Sequence, residues 1–155
     1  MKICIVVFDG TDELDFVAPY EVFQRVAERH SGTDVAPVTA ERTDTVTTQP
    51  GLKLPPSGIV EDSAELVRVP GGGSVAGAAR GVRREIERGV AGKTVQSITC
   101  AGITSGLDPA LWTVERKWGV ETASDITPFM EYTPSRVVYA ERVARRGSGS
   151  RPRLA

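Results

Sequence analysis

Apolar positions divide the first third of the chain into two strands and a helix between them. Residues 2–8 are continuously apolar after Lys2, which predicts a strand covered on both faces inside a parallel sheet. An apolar stripe at helical spacing then runs to His30, and Pro19 suits the first position of that helix; the stripe consists of Tyr20, Phe23, Val26 and Ala27. His30, in the last turn, is expected to be exposed and favoured by the helix dipole. Residues 34–39 predict the second strand.

The middle of the chain predicts more strands and one charged helix. Residues 45–54 contain Pro50-Gly51 and predict a β-hairpin or edge ribbon. Residues 65–69 predict a strand that runs directly into Pro70 and three glycines. Residues 75–90 predict a helix whose mixed charges are typical of a solvated face. Residues 95–100 predict the next strand.

The last third predicts mainly helices. Leu107, Leu111, Val114 and Trp118 lie on one helical stripe, which Gly119 ends. Residues 125–132 predict a helix broken by Pro128, and residues 137–146 predict a final helix. Alternating strands and helices predict an α/β fold with a mostly parallel sheet and helices on both faces. Ligands of such sheets bind beyond the carboxyl ends of the strands.

Length and charge narrow the class of protein. The 155 residues predict one domain at 1–146 and a disordered basic tail at 147–155. A net charge of −1 favours neither nucleic acid nor an acidic membrane surface. The sequence shows no signal peptide, no membrane-spanning run and no disulfide framework. We therefore expect a cytoplasmic protein with reduced thiols, and neither metal nor other cofactor.

Three features that could carry chemistry follow predicted strands, which places them at one edge of the sheet. Cys100 stands at a strand end just ahead of a helix, a usual position for a cysteine nucleophile, whereas Cys4 is expected to be a small buried apolar residue. Asp15 comes shortly after the first predicted strand. The turn Gly71, Gly72 and Gly73 either admits a ligand close to the backbone or is a plain tight turn.

The motifs themselves resemble those of a known family. The opening IVVFDGTDELDFVAPYEVF, the turn VPGGG at 69–73 and the segment AGITSGLD at 101–108 resemble the ThiJ/PfpI superfamily, which is class I glutamine-amidotransferase-like. The opening is most similar to the isonitrile hydratase branch, and it also occurs in domains attached to some transcription regulators. The resemblance implies a flavodoxin-like three-layer sandwich. It also matches Gly72 and Gly73 to the family's oxyanion-stabilising turn, and Asp15 to the acid beside the family's thiol. A carboxyl there can hold or relay a proton; the alternative is a helix-entry aspartate stabilised by N–H groups.

One departure from the family pattern bears on activity. Residues 74–101, which lead from the glycine turn into the segment at 101–108, number 28, enough for one helix and one strand, and contain no nucleophile-elbow motif. We interpret this as an internal deletion, which implies a reduced sheet and leaves Cys100 as a substitute nucleophile off the family position. No histidine matches the family's partner for the nucleophile.

The resemblance leaves three functions open. The first is a cysteine-dependent hydratase or hydrolase for a small electrophilic substrate, such as an isonitrile. The second is a catalytically inactive small-molecule-binding or regulatory module, and the third is a truncated chain whose role is to pair with another. Family members commonly form homodimers, and the apolar surface that a deletion uncovers would favour association. We therefore expect a homodimer.

Overall fold

The described part of the molecule is built around one parallel sheet. The structure, a computed structural model, describes residues 1–61, 63–70 and 106–134. Within these ranges the strands are β1 (Lys2–Val6), β2 (Asp34–Val38), β3 (Val46–Thr47), β4 (Lys53–Leu54) and β5 (Leu66–Arg68), and the helices are α1 (Glu13–Arg29), α2 (Leu107–Trp118) and α3 (Val120–Phe129). None of the described helices is long and apolar enough to cross a bilayer.

The parallel sheet has the order β2-β1-β5, so β1 lies between its two neighbours. Ile5 stands opposite Pro37 on one side and Arg68 on the other. The chain passes from β1 to β2 on one side and later to β5 on the other side. The strand order therefore reverses at β1, where sheets of this class form a crevice beyond the carboxyl ends of the strands.

Both faces of β1 are buried, as its continuous apolar run predicts. Ile3, Ile5 and Val7 pack on the face that carries α1, with Phe16, Phe23 and Val26 of that helix. Cys4 and Val6 lie on the opposite face with Val38, Val67 and Val69. The prediction of an inner strand is confirmed, because Ile3 to Val7 are each 0% exposed.

The start of α1 differs from the prediction. The helix begins at Glu13, and Pro19 lies inside it instead of at its first position. Asp12 is the N-cap, and its Oδ1 accepts a hydrogen bond from the amide of Leu14 at 3.2 Å. A capping aspartate satisfies an amide at the start of the helix. Pro19, six residues after the helix begins, removes one internal hydrogen bond without ending the helix.

The remaining described elements agree with the predicted types. β3 and β4 form the antiparallel ribbon expected between residues 45 and 54. α2 carries the predicted stripe and ends at Gly119, which has φ +96°. α3 begins at Val120, earlier than the predicted helix at 125–132, and Pro128 lies in its last turn. The prediction placed the start of this helix too late in the chain, because it treated Pro128 as a break inside the helix.

Several expectations fall outside the described residues. These are the helices at 75–90 and 137–146, the strand at 95–100, the tail at 147–155, the turn Gly71, Gly72 and Gly73, and Cys100. The 28-residue interval on which the deletion depends also falls outside them, at residues 74–101.

Candidate functional site

The loop between β1 and α1 is held in place by the β3–β4 ribbon. Thr47 donates its amide to Oδ1 of Asp9 at 2.8 Å and accepts the amide of Gly10 at 2.8 Å. The hydroxyl of buried Thr48 donates to the Glu13 carboxylate at the first position of α1. Together these bonds fix where α1 begins, and therefore where the side chain of Asp15 points.

Asp15 is buried in the first turn of α1. Its residue is 3% exposed, and its Oδ1 has no hydrogen-bond partner among the described residues. Asp12, three positions earlier, is the helix cap, whereas Asp15 lies in the first turn, where an aspartate at the helix entry is expected. A buried carboxyl oxygen that lacks a partner is costly when it is ionised, which favours the protonated form.

The pKa of Asp15 is accordingly raised from 3.8 to about 6. Burial is the main cause, because desolvation disfavours the carboxylate. The negative charge of Asp12 also raises this pKa, whereas the positive charge of Arg68 lowers it. A carboxyl with such a pKa can both donate and accept a proton near neutral pH.

Arg68 is a buried cation at the carboxyl end of β5. It is 2% exposed, and it lies on the same face of the sheet as Ile5, its cross-strand neighbour. Fully buried arginines are rare unless they are paired. The sequence interpretation missed Arg68, although a single charged residue within the apolar run at 66–69 was a visible signal.

Gly106, at the N-terminus of α2, completes the described part of the site. A Cβ atom at Gly106 would lie 3.8 Å from Nη2 of Arg68, 3.8 Å from the carbonyl oxygen of Leu14 and 3.4 Å from Cδ of Pro19. The start of α1, the end of β5 and the start of α2 therefore converge at one point. This point lies at the edge of the sheet where the strand order reverses, as the topology predicts.

Cys4 and His30, the two other residues considered for chemistry, do not belong to this site. Cys4 lies on the opposite face of the sheet from α1, and burial raises the pKa of its thiol, so it does not serve this site. His30 is half-buried and not exposed as expected; its Nε2 lies 3.3 Å from the Thr122 hydroxyl. Fifteen residues of helix, roughly 22 Å, separate His30 from Asp15, so it is no partner of this carboxyl.

A cavity between α2 and α3 is a weaker candidate for chemistry. It has a volume of about 350 Å³, and its lining includes Asp108, Trp112, Glu115 and Val120. Asp108 is half-buried and accepts a hydrogen bond from the Tyr132 hydroxyl at 3.0 Å, and Glu115 is exposed. This cavity thus offers no buried proton-exchanging group of the kind found at Asp15. Across residues 1–61, 63–70 and 106–134, no three potential metal ligands of the His, Cys, Asp or Glu types come together.

Solved structures share the fold at low sequence identity. A DJ-1 superfamily protein from Salmonella typhimurium is 14% identical with a TM-score of 0.67, over 85% of this chain and 98% of that one. DJ-1 of Toxoplasma gondii is 15% identical with a TM-score of 0.60, over 84% and 98%. An AraC family transcriptional regulator from Pseudomonas putida is 14% identical with a TM-score of 0.62, over 83% and 98%.

These similarities confirm the predicted flavodoxin-like fold. Among curated proteins, none matches the chain. The family model described as the DJ-1/PfpI family matches residues 1–106, which include Asp15, Arg68 and the glycine turn. The chain therefore belongs to the DJ-1/PfpI family.

Proposed function

We propose that this protein is a cysteine-dependent hydratase or hydrolase for a small electrophilic substrate, with Asp15 as its proton-handling residue. The observation that carries the proposal is the Asp15 carboxyl, which is buried, has an oxygen without a hydrogen-bond partner among the described residues, and has a pKa near 6. A group that only capped a helix would need none of these properties. Acid–base catalysis at neutral pH needs a carboxyl with a raised pKa.

Cys100 is the proposed nucleophile because Cys4, the only other thiol of the sequence, lies on the other face of the sheet. For an isonitrile, the Cys100 thiolate adds to the terminal carbon, and Asp15 gives its proton to that carbon. The resulting carboxylate removes a proton from the water that adds to the same carbon and passes it to nitrogen. It then takes the hydroxyl proton as the thiolate leaves, which releases a formamide and restores both groups.

The glycine turn and the interval after it have their own places in this proposal. We propose that the amides near Gly72 and Gly73 would stabilise the negative charge that develops during addition, and that Gly71 belongs to the same ligand-binding turn. The isonitrile hydratase branch and the internal deletion are supported by the opening motif and by the short interval before residue 101. One domain at 1–146 with a basic tail at 147–155 remains part of the proposal.

A second function is favoured by one comparison. The fold of the AraC family transcriptional regulator covers 83% of this chain, which supports a binding module that has kept the pocket and lost the nucleophile. In that case the protonated Asp15 carboxyl would donate a hydrogen bond to a ligand, and no turnover would occur. The two functions differ in whether the Cys100 thiol is reactive.

Two measurements on the folded full-length chain separate these functions. Iodoacetamide labelling across pH, read residue by residue, reports the reactivity of Cys100, with Cys4 as the buried internal control. Turnover of a panel of aliphatic isonitriles to formamides reports catalysis, with C100S and D15N as variants. The enzyme proposal expects Cys100 to react faster at neutral pH than a thiol with a pKa of ~8.5, and both variants to lose turnover. An ordinary or protected Cys100 together with no turnover would leave the binding module.

A further inference from the structure

We propose that Arg68 is a positioning residue for Asp15, and that its guanidinium is the counter-charge that keeps the buried carboxyl able to ionise and so to exchange protons. The inference rests on the proposed role of Asp15 and deepens it, because it names what controls the charge state of the site. Arg68 is the last residue of β5.

The first support is that Asp15 and Arg68 are both buried. Among the described residues, Asp15 is the one buried acidic side chain and Arg68 is the one buried basic side chain. Moving either charge out of water is costly unless an opposite charge or hydrogen bonds compensate it. The positive charge of Arg68 therefore stabilises the ionised form of Asp15.

The packing around Gly106 is the second support. Nη2 of Arg68 and the carbonyl oxygen of Leu14, the residue before Asp15, both lie 3.8 Å from the position of a Gly106 Cβ. The guanidinium of Arg68 therefore lies close to the first turn of α1. Cδ of Pro19, in the same helix, lies 3.4 Å from that position.

The three described elements that converge at Gly106 each carry charged groups. From the start of α1, Asp12 opposes ionisation of Asp15, and from β5, Arg68 favours it. Glu13 is engaged with the Thr48 hydroxyl on the ribbon. Asp108, in the first turn of α2, accepts the Tyr132 hydroxyl. Arg68 is thus the described group that acts against desolvation and against Asp12.

Below the midpoint of the Asp15 titration, Asp15 and Arg68 together carry a net positive charge. Above that midpoint, their charges cancel. In the proposed reaction the protonated state precedes donation to carbon, and the ionised state then removes a proton from water. Without the guanidinium, the carboxyl would be a weaker acid, so the step in which it gives its proton to carbon and becomes a carboxylate would be slower. Arg68 therefore acts through Asp15 and need not touch substrate.

The test is a carbon-13 NMR titration of the Asp15 carboxyl in wild type, R68M, R68Q and R68K. An opposite charge nearby lowers a carboxyl pKa by about 1–3 units, so we expect R68M and R68Q to raise the Asp15 pKa by about one unit or more. R68K keeps the charge and is expected to stay near wild type. R42M, which removes an exposed arginine, is the matched control and is expected to leave the titration unchanged.

R68M and R68Q are both included in case one of them loses the fold. Near-UV circular dichroism identifies which of them is native, and the Asp15 titration of either native variant is sufficient to test the inference. An Asp15 titration unchanged in R68M or R68Q would overturn the inference. So would an R68K titration displaced as far as that of the neutral variants, because the role would then depend on guanidinium shape and not on charge. None of these outcomes depends on turnover, so failure here is distinct from failure of the proposed enzyme activity.

Discussion

Replacing Asp15 by asparagine should make the protein more stable, and increasingly so as pH rises. The Asp15 pKa is about 6 in the folded protein, against an ordinary value of 3.8. A carboxyl with a raised folded pKa binds its proton more tightly in the folded state, so its contribution to stability is full below pH 3.8. That contribution is lost between pH 3.8 and about 6.

The difference between 3.8 and about 6 corresponds to about 3 kcal/mol of unfolding free energy. Asparagine is close in shape to the protonated carboxyl and does not titrate, so D15N does not suffer this loss. The free energy of unfolding of D15N minus that of wild type should therefore increase between pH 3.5 and pH 7.5 by that amount, and level off above pH 7.

Urea unfolding at closely spaced pH values measures this difference, because titrations common to both proteins cancel. D44N, which removes an exposed carboxyl, controls for the loss of one negative charge. A D15N curve that runs parallel to wild type from pH 3.5 to 7.5 would refute the reasoning. It would mean that the Asp15 carboxyl is either solvated or fully compensated in the folded state.

Three further predictions concern assembly, packing and cofactors. Leu14 and Val17 are 50% and 42% exposed on one side of α1, and we expect this apolar side to form a dimer contact. Light scattering at low micromolar concentration should therefore show a dimer. L14D should yield monomers, whereas V120D on α3 should not. Phe23 is 1% exposed, so F23A should cost about 3–5 kcal/mol of unfolding free energy in urea titrations, against a small effect for V17A. Metal analysis of protein purified without chelator should find no stoichiometric metal; one equivalent would refute this prediction.

The sheet was predictable because its signal is strong and local. The uninterrupted apolar run at residues 2–8 identified a strand buried on both faces, and β1 lies between two parallel neighbours. The carboxyl ends of such strands meet at one edge, which placed Asp15 near the strand that leads to the glycine turn. Periodicity and topology were sufficient for this part of the fold.

The boundary of α1 was not predictable from proline alone. Pro19 suits a first helical position, but the contacts of Asp12 and Thr48 start the helix six residues earlier. The Thr48–Glu13 hydrogen bond joins residues 35 apart in sequence, so a local pattern does not contain it. The Asp12 cap, by contrast, spans only two residues and was a local signal that the prediction missed. Arg68 was missed for a related reason, since its importance arises from Asp15, which a different element positions.

The central claim is that Asp15 holds an exchangeable proton at a buried site, and the carboxyl titration of wild type tests it most directly. Carbon-13 NMR of the folded protein, with D15N to assign the signal, gives the midpoint without any assumption about substrate. The account predicts a midpoint near 6. A midpoint at the ordinary aspartate value of 3.8 would contradict it, because such a carboxyl would stay ionised at neutral pH and could not donate a proton.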